Sequence, residues 1–205
     1  TGAPPSLALT TASFTDVHGT DGGAVYAFNT DLDFTLVDFT RATADRGGAI
    51  YGSLAVVELD QTRFFGSADG GYAARLGGAA YLDSDSALIG DLLELTNLSA
   101  YQDGAGIYCE GGDQVDVLTA HLDGVSASGK GGFVWSDCDT YLIGVTSVDG
   151  SAYQGGSLGY FTGTPKVVVT DSDLRRGAAG SGNGGVLAFE TMGEAGKIEL
   201  RRNLF

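Results

Sequence analysis

DRGGAIYGS, residues 45–53, decides the fold: two glycines, a small residue, an aliphatic and an aromatic, in that order. The order returns as GGAVYAF from Gly22, GGAAYLD from Gly77, GAGIYCE from Gly104 and GGFVWSD from Gly131, with looser copies GGSLGYF from Gly155 and GGVLAFE from Gly184. The first glycines stand at 22, 47, 77, 104, 131, 155 and 184, a mean spacing of 27 residues. A period of this size marks a solenoid, in which each unit buries its apolar face only against its neighbours.

The repeat unit is made of strands. Glycine is costly inside helices, and no long apolar pattern of period 3.6 occurs. The segments between anchors alternate over short runs, as in VVELDQTRF (56–64), VDVLTAHL (115–122) and KVVVTDSDL (166–174), and are bounded by Gly, Asp, Ser and Asn. Each period is therefore expected to hold a glycine-anchored strand, a turn, one or two further strands and a polar connection. That is one coil of a right-handed parallel β-helix, an all-β solenoid of about seven coils that takes residues 1–205 as a single domain. At ~4.8 Å per coil the rod is about 30–35 Å long. Asp-Gly pairs beginning at 21, 69, 103, 123 and 149 supply turn chemistry, since both residues tolerate positive φ.

Composition narrows the function. With 26 acidic and 11 basic residues the net charge is -15, which disfavours nucleic acid and anionic lipid and favours neutral or cationic partners and divalent cations. Hydrophobic residues make up 43%, too many for a disordered chain. No apolar run reaches the ~20 residues needed to span a bilayer, so no membrane insertion by this segment is expected. The start carries no Met and no basic-then-apolar leader, as in a processed or excised piece. Cys109 and Cys138 fit neither a redox nor a zinc motif; they fall at nearly matching places in neighbouring repeats, as a bridge between coils or as two half-buried thiols.

FTRATADRGGAIY, from Phe39 to Tyr51, resembles the repeat of polymorphic outer-membrane proteins and related bacterial surface β-helices, which pair a GGAI tetrapeptide with an upstream FxxN. The aromatic is kept at Phe39 and Phe64 and then reads Leu98, Leu122, Val148 and Leu174, while the Asn is absent. The resemblance implies an extracellular β-helix at the bacterial cell surface, as in adhesins and autotransporter passengers, and transfers no catalytic site.

Columns of equal offset carry the candidate chemistry. Four residues after the anchor stand Tyr26, Tyr51, Tyr81, Tyr108 and Trp135, continued one residue later by Tyr160 and Phe189. Two residues further on stand Asp83, Glu110 and Asp137, followed closely by Asp85, Asp113 and Asp139. Strand alternation turns the aliphatic column (Val25, Ile50, Ala80, Ile107, Val134) inward and the aromatic column outward, next to the carboxylates. An exposed ribbon of rings beside acids is a saccharide-binding face, and Asp83, Asp85, Asp137 and Asp139 are candidate Ca2+ ligands. No other cofactor is called for. His18 and His121 lie in different coils and form no triad.

Both ends stop part-way through a coil without a cap, which fits a segment of a longer solenoid or stacking on another copy end to end. The leading expectation is a non-enzymatic, secreted or surface-displayed adhesin-like module. A polysaccharide-binding or polysaccharide-degrading β-helix using the two columns, and a calcium-stiffened rod, are the alternatives.

Overall fold

A computed structural model describes residues 3–67, 71–163, 165–190 and 196–205. The Asp69–Gly70 turn pair lies outside them. Among the described residues the chain is all-β, with every strand pair parallel, in sheets of thirteen, seven and six strands. It is a β-solenoid of about seven coils, each coil pairing in register with the next.

A complete coil has four sides, one more than the sequence led us to expect. The anchor strand (Ile50–Ser53 in the second coil) belongs to the seven-stranded sheet. The next two sides belong to the thirteen-stranded sheet, which wraps a corner: Asp31–Thr40 pairs with Val56–Asp60 along its first half and with Arg63–Phe65 along its second. The fourth side is a short strand of the six-stranded sheet, such as Ser99–Ala100.

Left-handed residues turn many of the corners. Thr11, Leu36, Gln61, Leu92, Gly144, Asp171 and Arg202 line the corner inside the wrapped sheet, all at φ between 50° and 66°. The corner before the anchor strand is different, because every coil places glycine there: 22, 47, 77, 104, 131, 156 and 184, at φ between 60° and 71°. The sixth anchor is thus Gly156 and not Gly155. A Cβ on Gly47 would lie 2.0 Å from the Ile50 carbonyl oxygen, so at this corner crowding, more than φ, excludes other residues.

The main core is one cluster of inward side chains stacked in columns. Phe14, Phe39 and Phe64 stack at centroid distances of 5.2 and 5.0 Å. Register then continues that column through Leu95, Leu122, Ser147 and Leu174. Leu98 and Val148 therefore do not replace the upstream aromatic as fixed sequence offsets imply, because the corner-to-anchor length varies between coils. Large and small residues interlock between coils: Gly106 leaves the space that the buried Phe133 ring of the next coil fills, 2.4 Å from where a Cβ would be.

Cys109 and Cys138 are bonded to each other with Cα atoms 6.1 Å apart, and both are buried. The bridge joins the fourth coil to the turn after the anchor strand of the fifth. Beside it Ser136 accepts from the Thr140 hydroxyl at 3.0 Å and from the Cys138 amide at 3.0 Å, which satisfies polar groups that would otherwise be orphaned in the core.

Candidate functional site

The anchor strands send alternate side chains to opposite faces. Ile50, Ala80, Leu82, Ile107, Cys109 and Val134 join the main core, while Tyr51, Tyr81 and Tyr108, with Trp135 against them, form a second cluster on the outer side. The rings of Tyr26, Tyr51, Tyr81, Tyr108 and Trp135 stack in sequence at centroid distances of 5.1, 5.3, 5.0 and 4.3 Å, within 9° of parallel. Tyr160 pairs with Trp135 and continues the column, but Phe189 does not: it pairs with Phe161 and turns inward, and Ala188 takes the outer place.

This column is not the exposed ribbon that the sequence led us to expect. Tyr51, Tyr81 and Tyr108 are only 4–7% exposed, and Tyr26, at the start of the stack, is 57% exposed. Each ring covers the faces of its neighbours, which leaves those faces closed to a sugar. The edges are covered by two flanking columns. Five residues upstream stand Arg46, Leu76, Asp103 and Lys130; the Arg46 guanidinium lies 4.8 Å from the Tyr51 centroid and 5.4 Å from that of Tyr81, and the Lys130 ammonium 4.4 Å from that of Tyr160. Two residues downstream stand the carboxylates, and each accepts a hydrogen bond from the coil before. The Tyr51 hydroxyl donates to Asp83, Tyr81 donates to Glu110 at 3.1 Å, and Tyr160 donates to Glu190. Asp137 accepts from the Gly111 amide at 2.8 Å.

The electrostatics follow from this packing. Burial, and then the neighbouring carboxylates, hold the phenols of Tyr51 and Tyr108 well above the ordinary tyrosine range and push Tyr81 up to about 12. The Tyr160 hydroxyl and the Lys130 ammonium hold the Glu190 carboxyl below its usual value. Arg46 is bound in bidentate fashion to Asp21 at 2.7 and 2.9 Å, which keeps its guanidinium charged while it caps two rings. Arg46→Met is expected to lower stability by about 1–2 kcal/mol through loss of the ion pair and the ring contact. Denaturant titration checks this, and an unchanged midpoint would show that the cap contributes nothing.

The candidate metal ligands are not gathered. In-register pairing puts Asp83 beside Glu110 and leaves Asp137 two coils from Asp83, ~9–10 Å along the axis. A Ca2+ ion with bonds of about 2.3–2.6 Å cannot be shared across that gap. Asp85 is an exposed corner residue, and Asp139 accepts the Lys166 amide at 2.8 Å. Among the described residues no group of three or more His, Cys, Asp or Glu side chains could hold a metal ion.

A different surface presents open aromatic rings. The six-stranded sheet has an outward serine in three successive coils, Ser99, Ser126 and Ser151, followed by Ala178. A groove of about 460 Å³ runs over these residues, flanked by Tyr72 and Tyr153, which are 49% and 59% exposed. Tyr72 is held in place by an edge contact with Tyr101 at 5.4 Å and by a hydrogen bond between its hydroxyl and that of Ser128 at 3.2 Å. The sequence carries a signal for this surface: Ser-Ala-Tyr-Gln occurs at 99–102 and again at 151–154. No protein-family model, no curated protein and no solved structure matches the chain.

Proposed function

We propose that the chain is a rigid, non-catalytic module of a secreted or cell-surface, adhesin-like protein, whose work is to hold a surface at a fixed geometry. The observation that carries this reading is the tying of coil to coil around the whole circumference. Among the described residues six arginines each grip an aspartate of the preceding coil: Arg41–Asp16, Arg46–Asp21, Arg63–Asp38, Arg75–Asp45, Arg176–Asp149 and Arg202–Asp171. Each exposed pair contributes little alone, but together they fix register where loop ends would otherwise fray. The ring stack and its tyrosine–carboxylate bonds do the same on the anchor face.

A disulfide supports an oxidising compartment, and the resemblance of the GGAI repeat to bacterial surface β-helices points the same way. The carboxylates that a hydrolase or lyase would present to a substrate are engaged by phenols and backbone amides, which supports a structural role for them. Incubation with neutral and acidic polysaccharides is expected to release no new sugar ends, and EDTA is expected to leave the melting temperature unchanged. Turnover abolished by Asp83→Asn or Asp137→Asn would replace this reading with an enzyme. A melting temperature that falls on chelation would replace it with a calcium-stiffened rod.

A further inference from the structure

We infer that the groove over the six-stranded sheet binds an extended, uncharged glycan chain, with sugar rings against Tyr72 and Tyr153 and sugar hydroxyls bonded to the serine column. The chemistry of the lining excludes other ligand classes in turn. It contains Tyr, Ser, Ala and Gly and no charged side chain, in a molecule of net charge -15. A polyanion finds no cation there and is repelled by the surrounding field, and a cation finds no carboxylate. The floor is the outer face of a sheet whose inner strands are already paired on both sides, so a peptide cannot add as a further strand. A floor of hydroxyls is a poor match for a lipid tail. What remains is an uncharged, polyhydroxylated chain with flat apolar faces.

The geometry fits such a chain. Parallel pairing repeats the serine hydroxyl every ~4.8 Å along the axis, close to the advance of one sugar unit in an extended β-linked polymer. Tyr153 stands on the coil of Ser151, and Tyr72 reaches from the second coil to Ser128 on the fourth, so the two rings flank the run of serines. These rings, unlike Tyr51, Tyr81 and Tyr108 of the stacked column, are about half exposed. Tyrosine has only two side-chain torsions to order, so these rings beside the short strands lose little entropy on binding, which suits them as contacts for a repeating ligand.

The test is calorimetric titration of the whole chain with cellohexaose, xylohexaose, mannohexaose and laminarihexaose at low and high salt. At least one is expected to bind with an affinity insensitive to salt. Tyr153→Ala and Tyr72→Ala are each expected to weaken it by about tenfold or more. Ser126→Leu, which fills the floor while leaving both rings in place, is expected to abolish it. Tyr26→Ala, an equally exposed ring on another face, is expected to leave it unchanged. Melting curves check that each variant is folded. The inference is overturned if none of the four binds, if binding survives the groove variants, or if salt or Tyr26→Ala removes it. Concentration-dependent association of the chain that Tyr153→Ala removes, without any response to the sugars, would assign the groove to a second copy and also overturn it.

Discussion

Gly47→Ala is expected to cost about 3–5 kcal/mol, far more than a left-handed backbone alone explains. The left-handed region costs an ordinary residue about 1–2 kcal/mol. This chain accepts that cost repeatedly, at Leu54, Gln61 and Leu92 among others, all at φ between 50° and 54°. At Gly47 the added Cβ would also lie 2.0 Å from the Ile50 carbonyl oxygen and 2.7 Å from its carbon. Those are backbone atoms of a paired strand, and relieving the contact requires moving that strand off its neighbours. Gly111→Ala is the matched comparison: φ is +66°, yet nothing lies within 4 Å of the new Cβ, and a loss of about 1 kcal/mol is expected. Gly48→Ala should fall between the two. Its Cβ meets the Gly78 carbonyl oxygen at 2.2 Å, but Ala105 already occupies the same column in the fourth coil. Denaturant midpoints for the three variants check the order, and equal losses at 47 and 111 would refute the crowding explanation.

Replacing both cysteines by alanine is expected to cost about 3–4 kcal/mol. The bond joins positions 29 residues apart, and the loop-entropy relation gives a loss of that size for such a loop. Removing both thiols avoids leaving one buried and unpaired. For a chain of this length the loss corresponds to a drop in melting temperature on the order of 10 °C. Differential scanning calorimetry of the double variant and of the parent chain checks it. A parent protein whose unfolded chain reacts with a thiol reagent without prior reduction would show that the bond is not formed.

The glycine column, the inward aliphatics and the outward aromatics were all legible in the sequence, because each follows from strand alternation counted from a fixed anchor. The burial of the rings was not. It depends on Arg46, Leu76 and Lys130 flanking the stack, and their relevance shows only once neighbouring coils are placed in register. Phe189 was misplaced because the sixth anchor is Gly156, so the slip assigned to Tyr160 does not exist there. The fourth side went unseen since a two-residue strand such as Ser126–Ala127 has no periodicity to detect. The groove was missed for the same reason, and because one of its walls, Tyr72, sits in the longest of the coils.

The most direct measurement on the central claim, that the outward aromatic column is an internal brace and not an open binding face, is a spectrophotometric titration of the nine tyrosines at alkaline pH. Tyr51, Tyr81, Tyr108 and Tyr160 have folded values raised above the ordinary one near 10, with Tyr81 at about 12. Such groups contribute stability that is fully present below pH 10 and is lost as pH rises through the folded values, because the unfolded chain ionises first. The expected result is that the phenols of Tyr51, Tyr81, Tyr108 and Tyr160 ionise late, together with loss of strand signal in circular dichroism. All nine ionising in one early step, with the fold intact, would contradict it.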